Sequence, residues 1–352
     1  MRKLLLLILL IMIGIAGFLF FLKESKKSPE LKKIEETPSF NPHLLNWEEA
    51  TSNAPWPKRD SHTAVVFRKK IWIMGGLEGQ KPEYGQILYN NLPHKSDVWL
   101  SENGRDWELV TEKAPWGERR SLVAVVFKDK IFIIGGWTKR FGELKNDVWS
   151  SEDGINWEIV VSSSPWRPRE GHSVVVFKDK IWLMGGVDYY KRKTMNDVWY
   201  SEDGKNWIEA TSNAPWSPRW DQAVCLFQNK MWLMGGVDLN KPEKNDIWVS
   251  EDGKNWELIT ENAPWLPRSG HTCLLFKDKM WLIGGWNNQK GGLNDVWYLE
   301  DGYNWQKTKK DAPWVGREDH TAVVFDGKIW LMGGMDTNWK WKNDIWYSFF
   351  SP

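Results

Sequence analysis

Residues 263–305 read APWLPRSGHTCLLFKDKMWLIGGWNNQKGGLNDVWYLEDGYNW. An apolar run ends at Phe276, a short polar turn follows, and a second apolar run ends in Gly284-Gly285. A loop then leads to a third run, NDVWYLE. Asp301-Gly302 is a strong two-residue hairpin signal, and a fourth strand starts at Asn304-Trp305. These are four short antiparallel strands, lettered a to d. The Gly-Gly pair recurs at Gly75-Gly76, Gly135-Gly136, Gly185-Gly186, Gly235-Gly236, Gly284-Gly285 and Gly333-Gly334, with spacings of 60, 50, 50, 49 and 49 residues. Four strands repeated about every 50 residues predict propeller blades. WD40 blades are shorter and carry a Trp-Asp signature that this repeat lacks.

The six Gly-Gly pairs after strand b and the Trp of strand c, such as Trp199 and Trp297, resemble the Kelch family. The resemblance covers residues 44–348 and implies an all-β, six-bladed propeller. The sixth unit is incomplete, because the chain stops within six residues of Trp346 with no Asn-Trp strand. The missing strand is expected at the other end, in Asn46–Thr51, closing the ring and removing exposed edges.

The chain has 28 Trp in 352 residues. The repeat accounts for 23: six in APW-type loops, six in strand c, six opening strand d and five in strand b, where Phe132 takes the remaining place. These are read as packing between blades. Trp137, Trp220, Trp286, Trp339 and Trp341 fall outside the template. They map to d–a and b–c loops, which emerge on one face, and are candidate ligand contacts. The long first b–c loop adds Tyr84 and Tyr89, and the third adds Tyr189 and Tyr190.

Three residues after each APW-type Trp stands an Arg: Arg59, Arg119, Arg169, Arg219, Arg268 and Arg317. Six guanidinium groups near the channel mouth could hold a carboxylate. The competing reading is that each braces its own loop or an Asp of the NDVW motif. His62, His172, His271 and His320 share one repeat position, replaced by Leu122 and Gln222 in two blades, and are read as structural. Glu170, Glu318 and these His are the acid/base candidates, but no unique, non-repeated acid/base cluster is evident. No catalytic residue, cofactor or metal is assigned, since no metal-ligand spacing appears. Cys225 and Cys273 sit at different offsets from the ends of their strands, so a disulfide is not expected.

Leu4 to Leu22 is an uncharged apolar run with basic residues on both sides. It is long enough for a membrane anchor, and a cleaved signal peptide is the alternative. The domain plan is 1–22 anchor or signal, 23–43 polar tether and 44–352 propeller. The propeller is expected outside the cytoplasm and monomeric. Forty-seven basic against 46 acidic residues argue against a nucleic-acid partner. Kelch resemblance and the aromatic, charged loop face imply a module that binds a protein or a glycan. The alternative is a carbohydrate-active enzyme of the sialic-acid epimerase type, acting on an anionic sugar.

Overall fold

Six tight hairpins set the blades. In the a–b turns of the first five blades both central residues have positive φ, as at Arg68 (48°) and Lys69 (58°) or Lys277 (48°) and Asp278 (57°). That is the turn whose twist suits two antiparallel strands. In the computed structural model, the described residues are 40–79, 92–138, 142–239 and 242–350. The expected segment 1–22, nearly all of the tether, and Tyr84 and Tyr89 lie outside them. Among the described residues no helix is long and apolar enough to cross a membrane.

Each blade is built on four antiparallel strands in the order a-b-c-d, to which Arg59–Asp60 and Arg119–Arg120 add a two-residue strand in the first two blades. The fourth blade, for example, has Ala223–Phe227, Lys230–Met234, Ile247–Ser250 and Glu257–Thr260. The six strands a lie side by side around the axis, that of the sixth blade (Thr321–Phe325) meeting that of the first (Thr63–Phe67). The last blade takes its outer strand from the N-terminal side, as expected: Leu45–Thr51 pairs with Ile345–Phe350, Trp47 opposite Ser348.

The template Trp behave as blade packing. Each APW-type ring meets the ring that opens strand d edge to face, from Trp166–Trp207 at 5.8 Å to Trp265–Trp305 at 6.3 Å. Trp314–Trp47, at 6.0 Å, is the same pair made across the ring closure. Trp of strand b donates to the Phe carbonyl ending strand a, as Trp182 Nε1 does to Phe177 at 2.9 Å. Its ring lies against the hairpin glycine of the next blade: a Cβ on Gly253 would come within 2.0 Å of Trp182.

Two expectations fail. Strand b runs past the Gly-Gly pair in three blades, ending at Glu78, Thr138 and Asn287. Trp137 and Trp286 therefore lie on strands and not in loops. Cys225 and Cys273 are joined by a disulfide, their Cα atoms 6.0 Å apart. The alternation argument applies within one sheet. These cysteines sit on strands a of different sheets that face each other across a blade boundary, so their offsets do not decide which way they point.

Candidate ligand-binding face

The second glycine of each pair lets the d–a loop lie directly on strand b. Gly76 has φ +103°, and a Cβ there would stand 2.6 Å from the Asp60 carbonyl. Gly136 (φ +98°) meets the Arg120 carbonyl in the same way at 2.7 Å. The close approach fixes the two residues that follow each repeat Arg. The second of the two has a left-handed backbone in the first blade (Ser61, φ 49°) as in the fourth (Asp221, φ 51°). Backbone hydrogen bonds link these positions around the axis: Ser121 to Ser61, Ser61 to Asp319, Asp319 to Gly270, Gly270 to Asp221 and Asp221 to Gly171, at 2.8–3.1 Å.

The six repeat Arg are interior braces. All are 0–1% exposed. Each forms a two-pronged pair with the Asp of its own blade's third-strand motif. Arg169 Nη1 and Nη2 reach Asp197 at 2.6 and 2.7 Å, and Arg268 reaches Asp295 at 2.7 and 2.8 Å. Arg59–Asp97, Arg119–Asp147, Arg219–Asp246 and Arg317–Asp344 repeat the pair. Nη1 also donates to the first glycine of the Gly-Gly pair, as Arg169 does to Gly185 at 2.7 Å. The Asp accepts in turn from the strand c Trp, Trp199 Nε1 to Asp197 at 2.8 Å. Burial pushes Asp197 up, but the bonds and charge of Arg169 outweigh it and hold the carboxyl below its usual range. A guanidinium so committed has few donors left for a ligand.

The repeat His fill the space over the first glycine of the preceding blade. His172 Cε1 would lie 2.9 Å from a Cβ on Gly135, and Leu122 stands over Gly75 in the same way. Burial first, then the charge of the adjacent Arg, pushes His172 and His320 down to about 3. They are neutral packing groups at physiological pH.

One residue further along the chain the pattern changes. The positions after each repeat Arg are Asp60, Arg120, Glu170, Trp220, Ser269 and Glu318, no two neighbouring blades alike. Five of these side chains, with Asp221 and Asp319 from the next position, line a cavity of about 510 Å³ at the mouth of the ring. Volumes of this order suit small ligands. The lining also holds the aromatic and apolar side chains of Trp137, Tyr189, Tyr190, Leu77 and Met335.

Arg120 is the cation of this lining. Its Nε and Nη2 pair with Glu170 at 2.9 and 3.3 Å, and its guanidinium lies 4.8 Å from the Trp137 ring. Trp137 Nε1 donates to the Tyr190 hydroxyl at 2.8 Å, while Tyr189 meets Trp220 edge to face at 5.7 Å. Ser61 Oγ donates to Asp319 Oδ2 at 3.1 Å. Burial, followed by the charge of Asp319, pushes Asp60 well above the carboxylate range, against the pull of Arg120. Burial and neighbouring carboxylates raise Asp221 and Glu318 as well. A non-repeated acidic cluster therefore exists, contrary to the sequence reading. Apart from the adjacent Glu318 and Asp319, its members lie in different blades, far apart in the chain. The signal was available in the two residues after each repeat Arg, where the template breaks near the axis. Among the described residues, no group of three His, Cys, Asp or Glu could hold a metal ion.

Of the five non-template Trp, Trp137 and Trp220 line the cavity. Trp341 is buried behind it with Leu77 and Met335. Trp286 and Trp339 meet at a tilt of 49°, their centroids 6.1 Å apart, outside the lining.

These features define a six-bladed Kelch-type propeller with a cavity on its d–a and b–c loop face. The chain belongs to the Kelch-repeat family: the KLHDC2/KLHL20/DRC7 Kelch-repeats domain matches residues 26–236 and 85–285. The chain is 32% identical over 102 residues to the host cell factor homolog hcf-1 of Caenorhabditis elegans, covering 27% of this chain and 12% of that protein. It is 27% identical over 79 residues to the Kelch repeat protein M-T8 of Myxoma virus (strain Lausanne), covering 22% of this chain and 13% of that one. It thus spans a small fraction of the length of these relatives. The solved structure of YjhT superposes with a TM-score of 0.66 at 16% identity, over 84% of this chain and 96% of that chain. At that identity the likeness shows the fold alone.

Proposed function

We propose that this protein is a binding module whose d–a and b–c loop face takes a protein or glycan partner, part of which enters the cavity. The carrying observation is the contrast around the axis: residues that repeat are buried and bonded to one another, and those that break the repeat line an open cavity of about 510 Å³. A fixed scaffold with variable residues at its loops is the usual arrangement for recognition. The alternative, an enzyme of the sialic-acid epimerase type, draws less support. An anionic sugar needs an available guanidinium, and the one on the cavity, Arg120, is paired with Glu170 among further carboxylates.

We place the propeller outside the cytoplasm, held by the apolar run Leu4 to Leu22 as an anchor or released after cleavage. The Cys225–Cys273 disulfide supports this, because such bonds persist in oxidising compartments. Protease added to intact cells should digest the propeller, and full protection would refute the placement.

The test of the binding face is a double change, Tyr189→Ala with Trp220→Ala, in the full-length protein. Cross-linked partner capture and glycan-array signals should disappear while the melting temperature shifts little. Undiminished signals would mean that another surface binds.

A further inference from the structure

The reading of the cavity as a binding site leaves open what chemistry it accepts. Its lining carries five carboxylates, Asp60, Glu170, Asp221, Glu318 and Asp319, and a single guanidinium, that of Arg120. Glu170 takes both named hydrogen bonds of that guanidinium. Asp319 has a hydroxyl donor, Ser61. Asp60 is only 2% exposed, its Oδ1 is covered, and Trp341 and Ser61 are the donors beside the carboxyl. Carboxylates crowded together with little solvent are costly, and a ligand that brings a positive charge among them relieves the cost.

We infer that the cavity binds an organic cation, an ammonium or guanidinium carried on an apolar stem, with Asp60 and its neighbouring carboxylates holding the charged end and the aromatic wall holding the stem. Three features select that chemistry. The excess of acceptors over donors calls for a ligand rich in N–H groups, which these two cations are. Trp220 and Tyr189 offer ring faces and edges at the same mouth, and cations bind well over aromatic rings. The space of about 510 Å³ exceeds what a bare ammonium or metal ion needs and leaves room for a carbon chain. Anions meet repulsion from the same carboxylates. Burial and mutual repulsion raise Asp60, Asp221, Glu318 and Asp319, and an entering cation reverses that repulsion.

The chemistry has two sources, a free amine or a basic side chain of a protein. Calorimetric titration of the full-length chain would use 1,5-diaminopentane, the blocked peptide acetyl-Gly-Lys-Gly-amide, its norleucine counterpart and N-acetylneuraminic acid. At least one amine probe should bind, at least tenfold more tightly than the norleucine peptide, and more weakly as salt is raised. Asp60→Asn should weaken it by tenfold or more, and Glu318→Gln should weaken it severalfold. Glu152→Gln, on the exposed Asp-Gly hairpin, should leave binding unchanged. Preference for the diamine identifies a free amine, and preference for the lysine peptide identifies a protein partner; either supports the inference. Equal or tighter binding of the norleucine peptide or the sugar acid, lost in Trp220→Ala, would overturn the cation and keep the binding face. No binding by either amine probe would overturn the inference; if the Tyr189→Ala, Trp220→Ala protein also kept its partners, the binding face would fall with it.

Discussion

Arg59 and Asp60 are adjacent in the chain and both buried, yet they belong to two different regions. Arg59 is one of six identical braces, with Asp97 at 2.6 Å and the Gly75 carbonyl at 2.8 Å. Asp60 stands on the cavity, with Asp319 and further carboxylates nearby. The first region has its charges cancelled in every blade. The second has an excess of one sign. The difference teaches that repetition in this molecule marks what holds the blades, and departure from it marks what faces a ligand.

The strongest way to break the comparison is to open the ring. A chain beginning at residue 56 lacks Leu45–Thr51, so Ile345–Phe350 becomes a free edge and Trp314 loses the Trp47 ring. Size-exclusion chromatography should show aggregate where a chain beginning at residue 40 gives a monomer. Equal folding of the two would mean that closure contributes little.

The next test sets the two regions against each other. Arg268→Ala leaves Asp295 buried without its partner and should cost about 3–5 kcal/mol in denaturant unfolding. Asp60→Asn should act in the opposite direction. The folded-state pKa of Asp60 is raised, so its stabilising contribution is complete at low pH and is lost as pH rises through that value. A neutral Asn escapes the loss, and the unfolding midpoint at pH 7 should rise. A large destabilisation by Asp60→Asn would erase the distinction between brace and cavity.

The smallest effect concerns the His wedges. Their pKa values are depressed, so the stability they contribute is complete above their ordinary value and is lost as pH falls below it towards about 3. Leucine already occupies this position as Leu122, over Gly75. His172→Leu should therefore fold, and between pH 7 and 5 it should lose about 2 kcal/mol less than the parent. Identical pH profiles for the two would show that His172 is charged in the folded state.

Blade number, strand order and ring closure were legible because each is written several times or at a fixed distance. Gly-Gly pairs, Asp-Gly turns and the Asn46-Trp47 segment need only local rules to be read. The bracing role of Arg59, Arg119, Arg169, Arg219, Arg268 and Arg317 was one of two open readings, since their Asp partners also recur at a fixed repeat position. The cavity was harder. Glu170 and Glu318 were singled out, but Asp60, Asp221, Asp319 and Arg120 were not, because their nearness is made by the circle of blades and not by spacing along the chain. Tyr189 and Tyr190 were noticed as loop aromatics, and only the fold shows that Trp220 and Trp137 are their respective partners.

By itself the sequence determined the architecture, since turn chemistry and strand period act over a few residues and six copies repeat the same instruction. Tertiary structure decided which charges are spent and which remain. Whether a carboxylate is cancelled depends on what stands within hydrogen-bond reach, and in a closed ring that neighbour comes from another blade. The same holds for Cys225 and Cys273, 48 residues apart in the chain and joined where two blades meet at the axis.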